Sequence, residues 1–213
     1  MLKNKDYEAL LHEIKNAISV VSCSLQLIER QHPEVKDYAF WQDTASDLSG
    51  LRNLLIDVSN TQLCDHAKKS LVNISNFLQE VQSSCTAANN SNHPLIIDID
   101  PCLTEGYFDA PRIQHALLRI LDNAFESLYD DGIVILRAYS KENGIVFEVK
   151  DNGHGIAADV LPQIFQPFFG SKSGKSGLGL PISKGIVESH GGTLTLTSEL
   201  AKGTTVTIFL PFE

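Results

Sequence analysis

Asp151, Gly153 and Gly155 lie in the run Asp151-Asn152-Gly153-His154-Gly155-Ile156, and that spacing suits a particular chemistry. Two glycines one residue apart let the backbone turn tightly and approach a flat ligand, while the acid ahead of them can accept a hydrogen bond from an exocyclic amine. The same residues also build an ordinary turn after a strand, so the run alone leaves both uses open. A second cluster, Gly174, Gly177, Leu178, Gly179 and Leu180, opens a segment whose apolar residues Ile182, Ile186 and Val187 keep helical spacing. A glycine-rich loop feeding a helix amino terminus offers free backbone N–H groups and a favourable dipole to phosphates. Lys172 and Lys175 stand just before it; phosphate contacts and solvated loop lysines are equally good readings of the pair. The spacing does not match a Walker A loop.

His12 is the third candidate. In the amino-terminal third, Leu11, Ile14, Ile18, Val21, Leu25 and Ile28 fall alternately three and four apart, the seam of a helix packed in a bundle. His12 and Glu13 lie beside that seam, and Asn16 is one turn further along the same flank as His12. A solitary histidine on a helix is in itself uninformative.

These residues need elements to hold them. The first helix stops at Pro33, and a second seam, Trp41, Ala45, Leu48, Leu51, Leu55 and Val58, follows a connection through Gln31 and His32. Two antiparallel helices are therefore expected, with Trp41 as a packing residue. A lone hairpin exposes too much apolar seam, so pairing with a second copy into a four-helix bundle, a homodimer, is expected. The seam fades after Leu63. A helix over Ile74–Ser84, a polar loop through Asn89–Pro94 and a strand over Leu95–Ile99 follow. Asp109 can cap a helix whose buried face is Ile113, Leu117, Ile120, Leu121, Ala124 and Leu128, with Asn123 on it. Gly132–Ala138 and Gly144–Val149 read as a hairpin, and Thr193–Ser198 and Thr204–Leu210 as another, turning at Ala201, Lys202 and Gly203. The expected class is α+β: a helical hairpin in residues 1–66, then an α/β sandwich with a mixed sheet and helices on one face in residues 67–213.

Composition narrows the partners. The 213 residues carry a net charge of -9, against general nucleic-acid binding. Cys23, Cys64, Cys85 and Cys102 form no C-x-x-C pair and have no histidine at zinc spacing, which suggests idle thiols in a reducing compartment. No apolar run approaches a membrane span, and no basic-then-apolar leader opens the chain. A soluble, cytoplasmic segment without membrane contact is expected, any sensor module lying outside these residues.

Taken in order, the pieces closely resemble the two-component sensor histidine kinase family over nearly the whole chain. His12-Glu13-Ile14-Lys15-Asn16 resembles its H-box, Leu121-Asp122-Asn123-Ala124 its N-box and Asp151 to Ile156 its first glycine box. Ile164-Phe165-Gln166-Pro167-Phe168-Phe169 resembles its F-box and Gly177-Leu178-Gly179-Leu180 its second glycine box. The resemblance implies a dimerising phosphoacceptor hairpin followed by an ATP-binding domain of the Bergerat (GHKL) type. It implies His12 as the nucleophile towards ATP, Glu13 as its proton partner, and Asn16 as a residue directing water at a phosphorylated response regulator. Asn123 would reach Mg²⁺, Asp151 would accept the adenine amino group, and Gly153, Gly155 and Ile156 would close on the base. The lid from Ile156 to Gly177 would fold over the nucleotide, with Lys172 or Lys175 on the phosphates and Phe165, Phe168 and Phe169 anchoring it. The implied partners are a response regulator receiver domain and a second copy of the chain.

Three departures stand out. Arg119 occupies the position, one turn before Asn123, where many members carry a second asparagine, and so sets a cation beside the metal position. Ala17 replaces a frequent proline, and Gly170 and Ser171 stand where threonines are frequent. They leave room for a histidine phosphotransferase relaying phosphoryl groups without ATP, although such a protein has no use for Asp151 and two glycine boxes. A serine kinase of the anti-sigma type would share the ATP fold but has no use for the hairpin.

Overall fold

The computed structural model describes residues 4–38, 40–41, 44–45, 48, 51, 67–88, 93–167, 169 and 177–212, with residues 4–12 and 86–88 in backbone only. The chain divides into two compact units, Met1–Gln62 with Pro167–Leu178, and Leu63–Gln166 with Gly179–Glu213. Among the described residues, no helix is long and apolar enough to cross a membrane.

The first unit contains one long helix, α1 (Asn4–Gln31), followed by a 3-10 turn over Pro33–Asp37. Proline cannot donate to the helix ladder, and the chain tightens where it stands. The Lys36 ammonium lies 2.7 Å from the Glu29 carboxylate across this turn. That hydrogen bond holds the Glu29 carboxyl below its ordinary range, with help from the charge of Lys36 and the Trp41 indole. The helix ends just before Pro33, as expected, and the connection runs on through this turn. Of the predicted seam, Ile18 is 6% exposed, whereas Ile14, Val21 and Ile28 are 36%, 48% and 40% exposed. The second helix, expected from Trp41 to Val58, lies largely outside the described residues; Phe40, Trp41, Thr44, Ala45, Leu48 and Leu51 are helical.

In the second unit, a two-stranded ribbon pairs β1 (Ser70–Asn73) antiparallel with β3 (Glu105–Phe108). A five-stranded sheet contains β2 (Leu95–Ile99), β4 (Val134–Lys141), β5 (Gly144–Asp151), β6 (Thr193–Glu199) and β7 (Gly203–Pro211), in the order β2-β4-β5-β7-β6. β2 runs parallel to β4 and the other neighbours are antiparallel. Three helices, α2 (Ile74–Ala88), α3 (Ala110–Glu126) and α4 (Gly179–Ser189), cover the sheet. This is the mixed-sheet α/β sandwich expected.

Period-two alternation decides which face they cover. In register, Ala138, Phe147, Ile208 and Leu194 make one buried row, and Leu136, Val149 and Val206 another. Between them, Asp98, Arg137, Glu148, Thr207 and Thr195 align across all five strands on the opposite face. There Arg137 Nε reaches Asp98 Oδ2 at 3.1 Å. The core centres on Phe77 of α2, Phe108 of β3 and Phe147 of β5, whose ring centroids lie 5.2 to 5.9 Å apart in tilted and edge-on contacts.

α3 carries the N-cap expected of Asp109, whose Oδ1 accepts from the Arg112 N–H at 3.4 Å. The carboxylate is buried and does more than cap. Its Oδ2 accepts from the Lys68 N–H at 2.8 Å, and the Asp109 N–H donates to His190 Nε2 at 3.1 Å. His190, buried at the end of α4, donates from Nδ1 to the Ile186 carbonyl at 2.8 Å. One ring nitrogen therefore accepts and the other donates, which fixes the neutral tautomer. Burial pushes the His190 pKa down, against the opposing pull of the Ile186 carbonyl and the Asp109 charge.

Two outcomes follow for stability. Asp109→Ala removes the cap on the Arg112 N–H, the acceptor of the Lys68 N–H and the contact with the Arg112 guanidinium, leaves the backbone bond to His190 in place, and should cost about 2 to 3 kcal/mol in urea unfolding. Because His190 binds its proton less readily when folded, its contribution is complete above about pH 6.5 and declines as the pH falls below that value. The urea midpoint should therefore drop on acidification, and drop less steeply in His190→Gln.

Candidate nucleotide site

α3 and β5 end side by side, and the candidate site is built where they end. Asp151 is the last residue of β5, buried, and paired in register with Val134. Its Oδ1 accepts from the Gly153 N–H at 2.9 Å, the Thr204 N–H at 3.1 Å and Ser127 Oγ at 3.1 Å. Three donors thus meet on one oxygen of a largely buried carboxylate.

The glycine run folds back over this carboxylate and is held by its neighbours. Asn152 Oδ1 accepts from the Ile133 N–H at 2.7 Å, and the His154 N–H donates to the Ser127 carbonyl at 2.9 Å. Gly153 is pressed against Ser127 so closely that a Cβ there would overlap the serine's carbonyl and hydroxyl oxygens. Gly155 adopts φ +65° and faces the Glu199 carbonyl, so it is excluded from carrying a side chain by conformation and by space. The Ala201 N–H reaches the His154 carbonyl at 2.7 Å, and the Ile156 N–H reaches Ser198 Oγ at 2.8 Å. The turn between β6 and β7 thus forms a floor beneath the loop.

Asn123 is exposed on α3, one turn before Ser127. Gly179, the first residue of α4, faces α3 at this height, its missing Cβ pointing towards Arg119 Cβ and Asn123 Nδ2. The two helices pack closely here, with Ser183 Oγ within 3.3 Å of the Ala116 carbonyl and 2.9 Å of the Gly179 carbonyl. Asp151, Gly153, Gly155 and Ile156 are thus gathered by the loop, while Asn123 and Gly179 meet across two helices. Gly177, at φ +63°, and buried Leu178 directly precede α4, and Leu180 is half-buried in its first turn. Phe165 lies under the Lys184 ammonium, 5.2 Å from ring centroid to Nζ, a cation–π contact that ties this stretch of chain to α4. Phe168, Lys172 and Lys175 lie outside the described residues.

His12, Glu13 and Asn16 all lie on α1, in the other unit. The positions of His12 and Asn16 are four residues apart and share one helix face, and Glu13 and Asn16 are exposed. Among the described residues, no group of three or more His, Cys, Asp or Glu side chains could hold a metal ion. An exposed amide beside a helix start fits a metal that keeps its waters and phosphate oxygens as ligands, and does not fit one caged by protein alone.

Ser127, Ser198 and Thr204 belong to this site although the motifs do not include them. Ser127 had a readable signal, standing four residues after Asn123 and so one turn along the same helix. Thr204 joins only because β7 pairs with β5 in the observed register.

Residues 108–213 match the family model described as histidine kinase-, DNA gyrase B-, and HSP90-like ATPase. Sporulation kinase C of Bacillus subtilis is 28% identical over 96% of this chain and 48% of its own length. Sensor histidine kinase ZraS of Escherichia coli K12 is 29% identical over 94% of this chain and 43% of its own. The chain thus spans about half the length of these relatives. Among solved structures, full-length ShkA in complex with AMPPNP superposes with a TM-score of 0.80 at 22% identity, covering 99% of this chain and 46% of ShkA, a likeness of fold. An ATPase-type domain matched by its family model and relatives aligned across nearly every residue agree with the five ordered boxes: the chain belongs to the two-component sensor histidine kinase family, with a GHKL ATP-binding domain.

Proposed function

We propose that this chain is the catalytic core of a sensor histidine kinase, which uses ATP to phosphorylate its own His12 and passes the phosphoryl group to an aspartate of a response regulator. The observation that carries this reading is the buried Asp151 carboxylate, with three donors on Oδ1 and the glycine loop folded over it. That arrangement suits an acceptor for the adenine amino group, and the relatives similar to this chain over nearly its whole length are named as kinases.

Residues 1–66 serve as the dimerisation and phosphoacceptor hairpin, and residues 67–213 as the catalytic domain. A neutral His12 imidazole nitrogen directs its lone pair at the γ-phosphorus, a P–N bond forms, and the bond to the β–γ bridging oxygen breaks as ADP leaves. Glu13 takes the proton from the other ring nitrogen, keeping the attacking nitrogen free. Asn123 would hold Mg²⁺ through its amide oxygen, and the ion would supply neutralisation of phosphate charge there when bound. Lys172 or Lys175, in the stretch from Ile156 to Gly177 read as a lid, would contact the phosphates, and Lys184 holds the ring of Phe165 within that stretch. In the second transfer, a regulator carboxylate attacks phosphorus and the P–N bond breaks. Asn16, on the face of α1 that carries His12, directs water at the phosphorylated regulator and gives the same surface a phosphatase activity. The exposed seam residues Ile14, Val21 and Ile28 support a homodimer closed by a four-helix bundle.

A histidine phosphotransferase is the second reading, favoured by one observation: Arg119, in place of an N-box asparagine, faces the start of α4 next to Asn123. Incubation with Mg²⁺ and γ-labelled ATP separates the two. The kinase reading expects an acid-labile, alkali-stable label on the parent and none on His12→Gln; a folded dimer that takes no label would favour the phosphotransferase. For the dimer, Val21→Asp with Ile28→Asp should convert a dimeric species into a monomer in sedimentation equilibrium, and an unchanged mass would refute the bundle.

A further inference from the structure

A carboxylate at the end of a strand can rotate about its Cβ–Cγ bond, and a quarter turn carries its lone pairs away from a ligand in the pocket. Asp151 is held against that rotation by donors from three separate segments, all directed to Oδ1. Two are backbone N–H groups, of Gly153 and Thr204. The third is Ser127 Oγ, the one side-chain donor to Asp151 among the described residues.

Ser127 is placed to act on the whole loop. It caps the end of α3, is buried, and receives the His154 N–H on its carbonyl. Only a glycine at 153 lets the loop come this close to it. Its single hydroxyl proton has two acceptors in reach, the Ala124 carbonyl at 2.8 Å and Asp151 Oδ1 at 3.1 Å. With Oδ1 engaged by protein and no donor to Oδ2 among the described residues, Oδ2 is the oxygen available to a ligand.

We infer that Ser127 is a positioning residue for base selection: it locks the Asp151 carboxylate so that Oδ2 selects a purine with an exocyclic amino group over one without. This role rests on the nucleotide reading above. An ionised carboxylate has no proton to give, so an amino group completes a hydrogen bond, a bare ring position makes none, and a carbonyl sets lone pair against lone pair. Discrimination of this kind depends on a fixed acceptor, because a carboxylate free to turn can relax away from the wrong base.

Calorimetric titration of the full chain tests this, using ATP, purine riboside triphosphate, which lacks the 6-amino group, and inosine triphosphate, which carries a carbonyl there. The parent should bind ATP tightest. Ser127→Ala should weaken ATP about tenfold, the scale of one hydrogen bond to a charged group, while leaving purine riboside triphosphate essentially unchanged. Ser127→Cys, similar in size with a weaker donor, should fall between the two, and it carries the test alone if the alanine variant fails to fold. Equal losses for ATP and purine riboside triphosphate would show a general loosening of the α3 end and overturn the role, as would no loss at all. A parent that binds all three triphosphates alike would overturn the acceptor role of Asp151, and that of Ser127 with it.

Discussion

A carboxylate buried in protein has to be supplied with hydrogen bonds, and α3 runs between two that are: Asp109 at its start and Asp151 beside its end. Each collects backbone N–H groups from segments far apart in the chain. Asp109 gathers Lys68 and Arg112 and rests against His190, while Asp151 gathers Gly153 and Thr204 and takes the hydroxyl of Ser127. Because α4 is fastened at its end by His190 and meets α3 at its beginning through Gly179, its own glycine-rich start is set at the height of Asn123. The position of Gly179 is therefore fixed by contacts at both ends of the helix pair.

The sheet serves the same purpose with apolar material. Its inward rows of valine, leucine, isoleucine and phenylalanine give the helices a firm bed, and the three-phenylalanine cluster locks the β1–β3 ribbon and α2 into it. Close packing of this kind transmits small displacements. Beside that rigid bed, the ring of Phe165 is tied to α4 by the Lys184 ammonium.

Much of this was legible in the residues. The strand at Leu95–Ile99 lies where β-branched residues concentrate, and Asp109 caps α3 because a carboxylate ahead of an apolar helical face has little else to do. The hairpin strands run a few residues past the expected ends at Ala138, Val149 and Ser198, since pairing with a neighbour carries Lys141, Asp151 and Glu199 along whatever their propensity. The helix expected to close at Ser84 continues to Ala88 because Cys85 is buried on the same stripe as Phe77, Leu78 and Val81. Long-range polar pairing left no trace in local pattern. Asp109 and His190 are 81 residues apart, and Asp151 and Thr204 are 53 apart, so neither pairing has a period to read. The glycine boxes pointed to a candidate ligand site, whereas the spacing of Ser127 from Asn123 showed its place on α3 but not its bond to Asp151.

The outward face of the sheet, with its row from Asp98 through Arg137, Glu148 and Thr207 to Thr195, divides the strand residues into two populations that drift differently over time. Inward positions are constrained by volume and change only in step with their neighbours, whereas the polar outward ones need only suit a pleated surface; Val146, buried on that outward face beside Tyr139 and Phe209, is held by packing as well. A domain built this way can accordingly accept many substitutions along the polar outward row, while the alternate residues go on building the same bed beneath the helices.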